Sequence, residues 1–422
     1  MKMNILLKSV NISDPSSSHY NSIKDILISD GKIKSIEDNI ESKNKKFKII
    51  DCKGKHLSQG WVDLKADFCD PGNEYKETIE SGLKAAAAGG YTHVCVLPST
   101  NPFVDGKTQV EYILRKSESS LTKAHPIGSI TKKGKGKELS EMYDMNLSGT
   151  RLFSDDLNEV STGMLSRSLL YSKNINATII SLPKESSLSN QTIVNEGLAS
   201  LKTGLKGDPS ISEEIEIEKN LSVLQYTQGK LHLTGISTKK GVEKIKKAKT
   251  EGANLTASVN IMNVLFDENE VLNFDTNFKI IPPLRTKEDK EALLKGLKDG
   301  TIDAIDSDHR PHEQDEKDVD FQTASFGCIQ LQTTFAAFNT FFPKNTALFI
   351  EAVSIKAKNT AQIKEQAIEV GNEVDATLYD PQKEWKMEKK EILSKSFNTP
   401  FLNKNLKGKV CAVFRGNKIL EF

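Results

Sequence analysis

The sequence has few of the residues that build metal and redox sites. Its 422 residues include only seven histidines and five cysteines. The cysteines are odd in number, lie far apart and form no C-x-x-C pair, which argues against a zinc knuckle or a dithiol redox motif. Reduced thiols of this kind are typical of a cytoplasmic protein.

Long apolar runs are also missing. No stretch approaches the roughly eighteen consecutive apolar residues of a membrane-spanning helix. The opening sequence MKMNILLKSVNISD is too weakly apolar for a signal peptide. We therefore expect a cytoplasmic protein with no membrane partner.

The chain carries no surplus of charge of either sign. Lys and Arg number 58 against 57 Asp and Glu, which leaves a formal charge of +1 at pH 7. Two basic runs, KKGKGK at 132–137 and KIKKAK at 244–249, are explained by an exposed loop and an exposed helix face. The charge pattern therefore predicts no nucleic-acid partner.

Residues 61–102 predict one complete β-α-β unit. An alternating run, WVDLKADF, reads as a strand whose end carries polar side chains. The segment KETIES then opens a helix, and Gly89 and Gly90 end it. The short β-branched run at 93–97 has the character of a buried parallel strand.

Similar strand-like runs recur along the middle of the chain, separated by helical segments. They lie at 61–67, 93–97, 126–130, 150–153, 177–182, 231–236, 254–259 and 301–306. Eight such units predict an α/β fold, a (β/α)8 TIM-like barrel with its functional groups at the C-terminal strand ends.

Both ends of the chain are rich in short β runs with Gly turns. Asp30 and Gly31 form a hairpin signal near the N-terminus, and GNEVDATLYDP and GKVCAVFRGNKILEF read as strands near the C-terminus. We predict a small composite β-sandwich domain from residues 1–57 and 362–422, flanking a barrel of residues 58–361.

The first β-α-β unit resembles the signature of dihydroorotases, enzymes of the amidohydrolase superfamily. The family pattern is roughly D-x-H-x-H-x-R-x-P-G, then A-A-x-G-G-x-T and M-P-N-T-x-P. Asp63, Asp70, Pro71, Gly72, the Ala/Gly run, Thr92, Pro98, Thr100 and Pro102 are in register with it. The resemblance implies the same barrel and composite sheet, and an enzyme that interconverts carbamoyl-aspartate and dihydroorotate at a zinc site in pyrimidine biosynthesis.

The metal ligands that the resemblance implies are mostly replaced. Four imidazole positions are occupied by Lys65, Asp67, Leu182 and Gly235, whereas two carboxylates persist, Asp155 of FSDD and Asp308 of SDHRPH, the family's general base. Leucine and glycine have no side-chain donor, and a lysine ammonium has no lone pair. We therefore predict that no cofactor is bound, although zinc is expected for the family.

The substrate contacts implied by the resemblance have changed in parallel. The arginine and two asparagines of the pattern are replaced by Cys69, Ser99 and Ile281. His312 stands at a substrate position, but a hydrogen-bonded loop histidine explains it as well. His309 is normally a support for the same loop.

Lys65 is predicted to substitute for the charge of the metal. Facing carboxylates repel each other unless a cation lies between them. We expect a salt bridge from Lys65 to Asp155 or Asp308, with a lysine extended to solvent as the alternative.

Three functions remain open from the sequence. The first is an inactive dihydroorotase homologue that acts as a structural or regulatory partner of aspartate transcarbamoylase, as a homo-oligomer or in a larger complex. The second is an active cyclic-amide hydrolase that holds Mg²⁺ or Mn²⁺ through Asp67, Asp155 and Asp308. The third is an active zinc enzyme with recruited ligands, which is disfavoured because His19, His56, His93 and His125 lie outside the ligand positions.

Overall fold

A computed structural model describes residues 4–41 and 47–422. Residues 1–3 and 42–46 of the predicted N-terminal β segment lie outside this description. The strands are β1 (Asn4–Ile12), β2 (Ile23–Ser29), β3 (Lys32–Glu37), β4 (Lys48–Asp51), β5 (His56–Gln59), β6 (Trp61–Ala66), β7 (Tyr91–Val96), β8 (Lys123–Pro126), β9 (Leu152–Phe153), β10 (Thr178–Ser181), β11 (Val194–Asn195), β12 (Gly207–Asp208), β13 (Leu231–Leu233), β14 (Leu255–Asn260), β15 (Ala304–Asp306), β16 (Asp375–Lys386), β17 (Asn405–Arg415) and β18 (Lys418–Glu421).

The helices alternate with the strands through the middle of the chain. They are α1 (Ile79–Ala88), α2 (Lys107–Ser117), α3 (Met142–Leu147), α4 (Thr162–Asn174), α5 (Leu198–Thr203), α6 (Ser210–Thr227), α7 (Lys239–Thr250), α8 (Ile261–Leu265), α9 (Lys287–Asp299), α10 (Gln314–Lys317), α11 (Thr334–Phe341), α12 (Thr346–Val353) and α13 (Ile355–Ala361). Within residues 4–41 and 47–422, none is long and apolar enough to span a membrane.

Eight parallel strands form the barrel. β6, β7 and β8 pair in order, as do β9, β10, β13, β14 and β15. Parallel bridges from Gly128 to Phe153 and from Ala66 to His309 join the two groups. The predicted (β/α)8 barrel is therefore confirmed. The third strand begins at Lys123 rather than at the predicted residue 126, because the polar Lys123 and His125 hide the pattern of this short strand.

Strands from both ends of the chain build one composite sheet in the order β18-β17-β16-β5-β1-β2-β3, with β4 beside β1. The turn between β2 and β3 is formed by Asp30 and Gly31, both with positive φ, as a two-residue hairpin of this type requires. The sheet confirms the predicted composite β domain built from both ends of the chain. The exact domain boundaries stay a prediction.

The barrel and the composite sheet share one buried contact region. The Trp61 ring lies 5.7 Å from the rings of Phe349 and Tyr379, which come from a barrel helix and from β16. On the same side, Lys358 Nζ of α13 lies 2.8 Å from Asp375 Oδ2 of β16, and both side chains are buried. Apolar packing and a buried ion pair thus fix the sheet against the barrel.

Candidate functional site

The residues predicted for the site lie at the C-terminal ends of the barrel strands. Lys65 lies near the end of β6, and Asp155 and Leu182 follow β9 and β10. Gly235 and Asp308 follow β13 and β15. This end of a (β/α)8 barrel carries function in essentially all characterised enzymes with the fold.

Asp308 lies at the centre of the site with both carboxylate oxygens engaged. Its Oδ1 accepts a hydrogen bond from Arg310 Nε at 3.0 Å and lies 3.1 Å from Lys65 Nζ. Its Oδ2 accepts from Asn260 Nδ2 at 3.0 Å. The predicted general base is therefore surrounded by two cations and an amide donor.

Lys65 faces Asp308, one of the two partners predicted for it, and not Asp155. Its side chain is only 4% exposed, so the alternative of a lysine extended to solvent is wrong. The ammonium is poorly aligned with Asp308 Oδ1, and within the described chain Nζ makes no hydrogen bond. The contact is thus an ion pair by distance rather than a hydrogen bond.

Arg310 is the functional residue that the sequence reasoning missed. Its Nη2 and Nη1 donate to the two oxygens of Asp156 at 2.6 and 3.1 Å, and its Nε donates to Asp308. Burial raises the pKa of Asp156, but the guanidinium outweighs that effect and holds it below its usual value. The available signal was the segment SDHRPH at 307–312. The resemblance implies T-D-H-A-P-H there, with alanine in place of Arg310.

Asp155 does not join this centre. One of its oxygens accepts from the backbone N–H groups of Ile130 and Thr131 at 2.8 and 3.0 Å. The Thr131 hydroxyl donates to the other oxygen. Burial raises the pKa of Asp155, and these hydrogen bonds lower it in part. Its neighbour Asp156, rather than Asp155, faces the cations.

Asp67 lies at the edge of the centre. Its Oδ1 accepts from the Cys69 backbone N–H at 2.8 Å. Burial raises the pKa of Asp67, and the Arg310 charge opposes that shift. Asp67 therefore belongs electrostatically to the same cluster but is bound mainly to its own loop.

Leu182 and Gly235, at two of the four positions where the resemblance implies an imidazole, are neighbours. A Cβ atom added to Gly235 would lie 2.9 Å from Leu182 Cδ1 and 3.2 Å from Pro282 Cδ. Gly235 also has a φ of +65°. An apolar side chain therefore fills the space next to a backbone that favours glycine.

The three replaced substrate positions contribute no charge to the site. Ser99 Oγ donates to Asp156 Oδ2 at 2.7 Å. The Ile281 carbonyl accepts from Asn260 Nδ2 at 3.2 Å. Cys69 is buried, and burial raises the pKa of its thiol, so it stays protonated.

His312 and His309 have their ring nitrogens occupied by the protein. His312 Nδ1 lies 2.9 Å from Glu316 Oε2, and its Nε2 lies 2.8 Å from the Phe326 carbonyl. His309 bonds Glu77 through Nε2 at 3.4 Å and accepts from the Gln330 backbone at Nδ1. Both therefore hold loops in place, which is the support role expected for His309.

The donors present do not fit a zinc ion. Catalytic zinc needs about three protein donors around an open position. Across the described ranges, no three His, Cys, Asp or Glu side chains are arranged to hold a metal. Lys65 and Arg310 instead place two positive charges among the carboxylates, and a metal cation would be repelled by both.

A cavity of about 260 Å³ opens beside this centre, lined by residues that include Asp156, Leu182 and Lys184. Ligand pockets for small molecules usually occupy about 300–1,000 Å³. The site therefore keeps a small polar opening, although its cations are already paired with carboxylates.

Comparisons with known proteins agree with the fold and the motifs. A family model described as Dihydro-orotase-like matches residues 54–241. The chain is 40% identical over 398 residues to a protein named dihydroorotase from Thermoanaerobacter sp. (strain X514), covering 93% of this chain and 92% of that protein. It is 38% identical over 403 residues to a dihydroorotase from Caldicellulosiruptor saccharolyticus, covering 94% of each.

Solved structures show the same architecture at lower identity. The L-hydantoinase (dihydropyrimidinase) from Arthrobacter aurescens aligns with a TM-score of 0.86 and 20% identity, covering 99% of this chain and 96% of the hydantoinase. At this identity the similarity establishes the fold alone.

Proposed function

This chain belongs to the dihydroorotase family of pyrimidine biosynthesis, and we propose that it is a member without zinc and without catalytic activity. One observation carries the proposal. The Arg310 guanidinium bridges Asp156 and Asp308, and Lys65 lies against the same carboxylate. Two fixed side-chain cations thus neutralise the acids that a metal would otherwise neutralise.

The bonding of Asp308 also supports the loss of activity. A general base must reach the proton that it removes with a free lone pair at about 2.6–3.2 Å. Asp308 directs one oxygen at Arg310 and Lys65 and the other at Asn260. A proton transferred to this carboxylate would break contacts between opposite charges.

Metal analysis and an activity assay test the proposal together. We expect the purified protein to contain no stoichiometric zinc, before or after incubation with zinc followed by desalting. We also expect no cyclisation of carbamoyl-aspartate and no hydrolysis of dihydroorotate. The Thermoanaerobacter dihydroorotase, assayed in parallel, is the positive control.

Either of two results would overturn the proposal. One is a tightly bound equivalent of zinc. The other is turnover that Asp308→Asn abolishes. Arg310→Ala restores the residue of the family motif and should still give no activity, because Lys65, Leu182 and Gly235 supply no metal ligand.

The alternative is an active cyclic-amide hydrolase with an atypical metal site. It rests on the presence of Asp67, Asp155 and Asp308 as possible oxygen ligands. The hydrogen bonds of Asp155 to residues 130 and 131 disfavour it, because they turn this carboxylate toward its own loop. Assays with added Mg²⁺ or Mn²⁺ decide it, since turnover dependent on either ion would favour this alternative.

We also propose that the chain acts by association, as a homo-oligomer or in a complex with aspartate transcarbamoylase. The family resemblance supports this partner, and an exposed apolar face supports an outer surface as the contact. Ile211, Ile215 and Tyr226 of α6 are 52%, 45% and 79% exposed, and their spacing places them on one side of the helix.

Size-exclusion chromatography with the transcarbamoylase from the same source tests the association. We expect co-elution at micromolar concentrations, and its loss in Ile215→Glu/Tyr226→Glu. The matched control is Leu147→Glu, which places a charge at another exposed apolar position, on α3. Separate elution of the wild-type proteins, with unchanged transcarbamoylase activity and stability, would leave this proposal without support.

A further inference from the structure

A second cavity lies at the opposite end of the barrel from Asp308. It measures about 590 Å³, more than twice the 260 Å³ beside Asp156. Its lining includes Lys123 at the start of β8 and Arg151 just before β9, so it opens at the N-terminal strand ends. The composite sheet closes its other side through Arg415 and Lys418.

The lining of this cavity is strongly basic although the whole chain is nearly neutral. Five cations, Lys123, Arg151, Lys364, Arg415 and Lys418, face two carboxylates, Glu373 and Asp375. Asp375 is already paired with the buried Lys358.

The cations keep their charge available for a ligand. Arg151, Arg415 and Lys418 donate hydrogen bonds only to backbone carbonyls. Lys123 and Lys364 are exposed and make no ion pair or hydrogen bond to the described residues. The local excess of positive charge selects an anionic ligand.

A chain of buried hydrogen bonds ends at the cavity and determines which hydrogen-bonding group His125 offers to a ligand there. His93 Nε2 lies 3.2 Å from Asp375 Oδ2, and His93 Nδ1 lies 3.0 Å from His125 Nε2. Burial, the His93 ring and the charges of Lys123 and Arg415 lower the pKa of His125, so its ring is neutral at pH 7.

Burial also lowers the pKa of His93, although the Asp375 charge opposes that shift, so both rings are neutral at pH 7. Two neutral rings have only one consistent arrangement of protons here. The Asp375 carboxylate accepts, so His93 carries its proton on Nε2 and accepts at Nδ1. His125 must then donate from Nε2, which leaves its Nδ1 as a bare acceptor. Within residues 4–41 and 47–422 this Nδ1 has no hydrogen-bond partner, and His125 lines the cavity.

We propose that this basic cavity is a binding site for a phosphate ester that carries free hydroxyl groups, such as a sugar phosphate or a nucleotide. The cations attract the phosphate, and the His125 acceptor receives a proton from a hydroxyl. The volume lies in the range of about 300–1,000 Å³ that small-molecule ligands use. The site is separate from the barrel mouth and does not depend on the proposed loss of catalysis.

Isothermal titration calorimetry on the full chain with ribose 5-phosphate tests the site. We expect saturable binding of ribose 5-phosphate. Ribose lacks the phosphate and inorganic phosphate lacks the sugar hydroxyls, so each should bind at least about ten-fold more weakly. Lys123→Ala/Lys364→Ala should weaken ribose 5-phosphate about ten-fold or more. Both lysines are exposed, so the fold should tolerate the change.

The matched control is Lys135→Ala/Lys137→Ala, which removes the same charge at exposed positions outside the cavity. It should leave binding unchanged. Adenosine 5′-monophosphate separates the two ligand sources, since binding tighter than that of ribose 5-phosphate identifies a nucleotide and weaker binding identifies a sugar phosphate.

Three results would overturn the inference. They are no binding of either phosphate ester at millimolar concentration, equal binding by the Lys123→Ala/Lys364→Ala variant, and ribose binding as tight as that of its phosphate. Detection of bound zinc and turnover would instead contradict the proposed function and leave the cavity result intact.

Discussion

Three residues at the barrel mouth have an unusual backbone conformation. Cys69, Asp156 and Asp308 have positive φ, in the left-handed region that non-glycine residues enter rarely. Such conformations cluster at functional sites, where the surrounding structure enforces them. The barrel mouth therefore has the backbone conformation typical of a functional site, and Arg310 and Lys65 lie at its centre.

Replacing Lys65 by alanine should destabilise the protein. The substitution removes one of the two cations that face buried Asp308, so we expect a loss of about 1–4 kcal/mol in the free energy of unfolding. Urea denaturation monitored by circular dichroism measures it. Lys84→Ala, which removes an exposed ion pair with Glu80, is the control and should change little. A Lys65→Ala midpoint equal to that of the wild type would contradict the role of this cation.

Asp306 predicts a pH-dependent contribution to stability. Burial raises its pKa to about 6, although the Ser258 hydroxyl and the Lys65 charge lower it in part. The unfolded group loses its proton near pH 3.8, so between about pH 4 and 6 the folded state binds more protons. The free energy of unfolding contributed by Asp306 therefore falls as pH rises through this window, by on the order of 3 kcal/mol.

Asp306→Asn isolates this effect, because it removes the titrating group. The stability of the wild type minus that of the variant should fall from pH 4 to pH 6 and then stay constant. Urea denaturation at a series of pH values measures it. A difference that does not vary with pH would show that Asp306 titrates alike in both states.

At the level of elements, the ends of β10 and β13 leave no room for an imidazole at position 235. Leu182 follows β10 and packs into the space beside Gly235, which follows β13. A side chain at position 235 would overlap with this leucine. It would also be strained by the positive φ of the residue. The two strand ends therefore lie against each other in one apolar contact.

A double-mutant cycle tests the coupling of these two strand ends. Gly235→Ala should cost about 1–4 kcal/mol, from its positive φ and from overlap with Leu182. In the background of Leu182→Ala the same change should cost at least about 1 kcal/mol less, because the overlap is gone. Chemical denaturation of the four proteins measures both costs. Additive costs would mean that the two positions do not contact each other.

For the whole molecule, the Lys358–Asp375 pair couples the barrel to the composite sheet. Burial raises the pKa of Asp375, but Lys358 and His93 outweigh that effect and hold it well below its usual value. The carboxylate thus stays ionised in the interface between α13 and β16. The same network orders His93 and His125 at the basic cavity.

Lys358→Met should therefore cost about 3–5 kcal/mol, because it leaves Asp375 buried and charged. The double variant Lys358→Met/Asp375→Asn removes both charges and should recover part of the loss. Thermal unfolding followed by calorimetry measures both variants. A double variant less stable than Lys358→Met would mean that Asp375 stabilises the interface through other contacts.

The sequence alone determined the barrel architecture and the family to which the chain belongs. Eight strand-like runs between helical segments predicted the barrel, and Asp30 with Gly31 predicted the β2–β3 hairpin. Local sequence suffices there because strand periodicity and turn conformations depend on neighbouring residues. The family resemblance likewise predicted ligand positions at Lys65, Leu182 and Gly235.

The tertiary structure alone decided which charges meet. Arg310 contacts Asp156 across 154 positions of sequence, and only closure of the barrel brings them together. Asp156, which has a positive φ, faces Arg310, whereas Asp155 bonds the backbone of residues 130 and 131. The pairing of β7 with β8 places His93 beside His125. Contacts of this kind depend on register and backbone direction between distant strands, which the local pattern of residues does not encode.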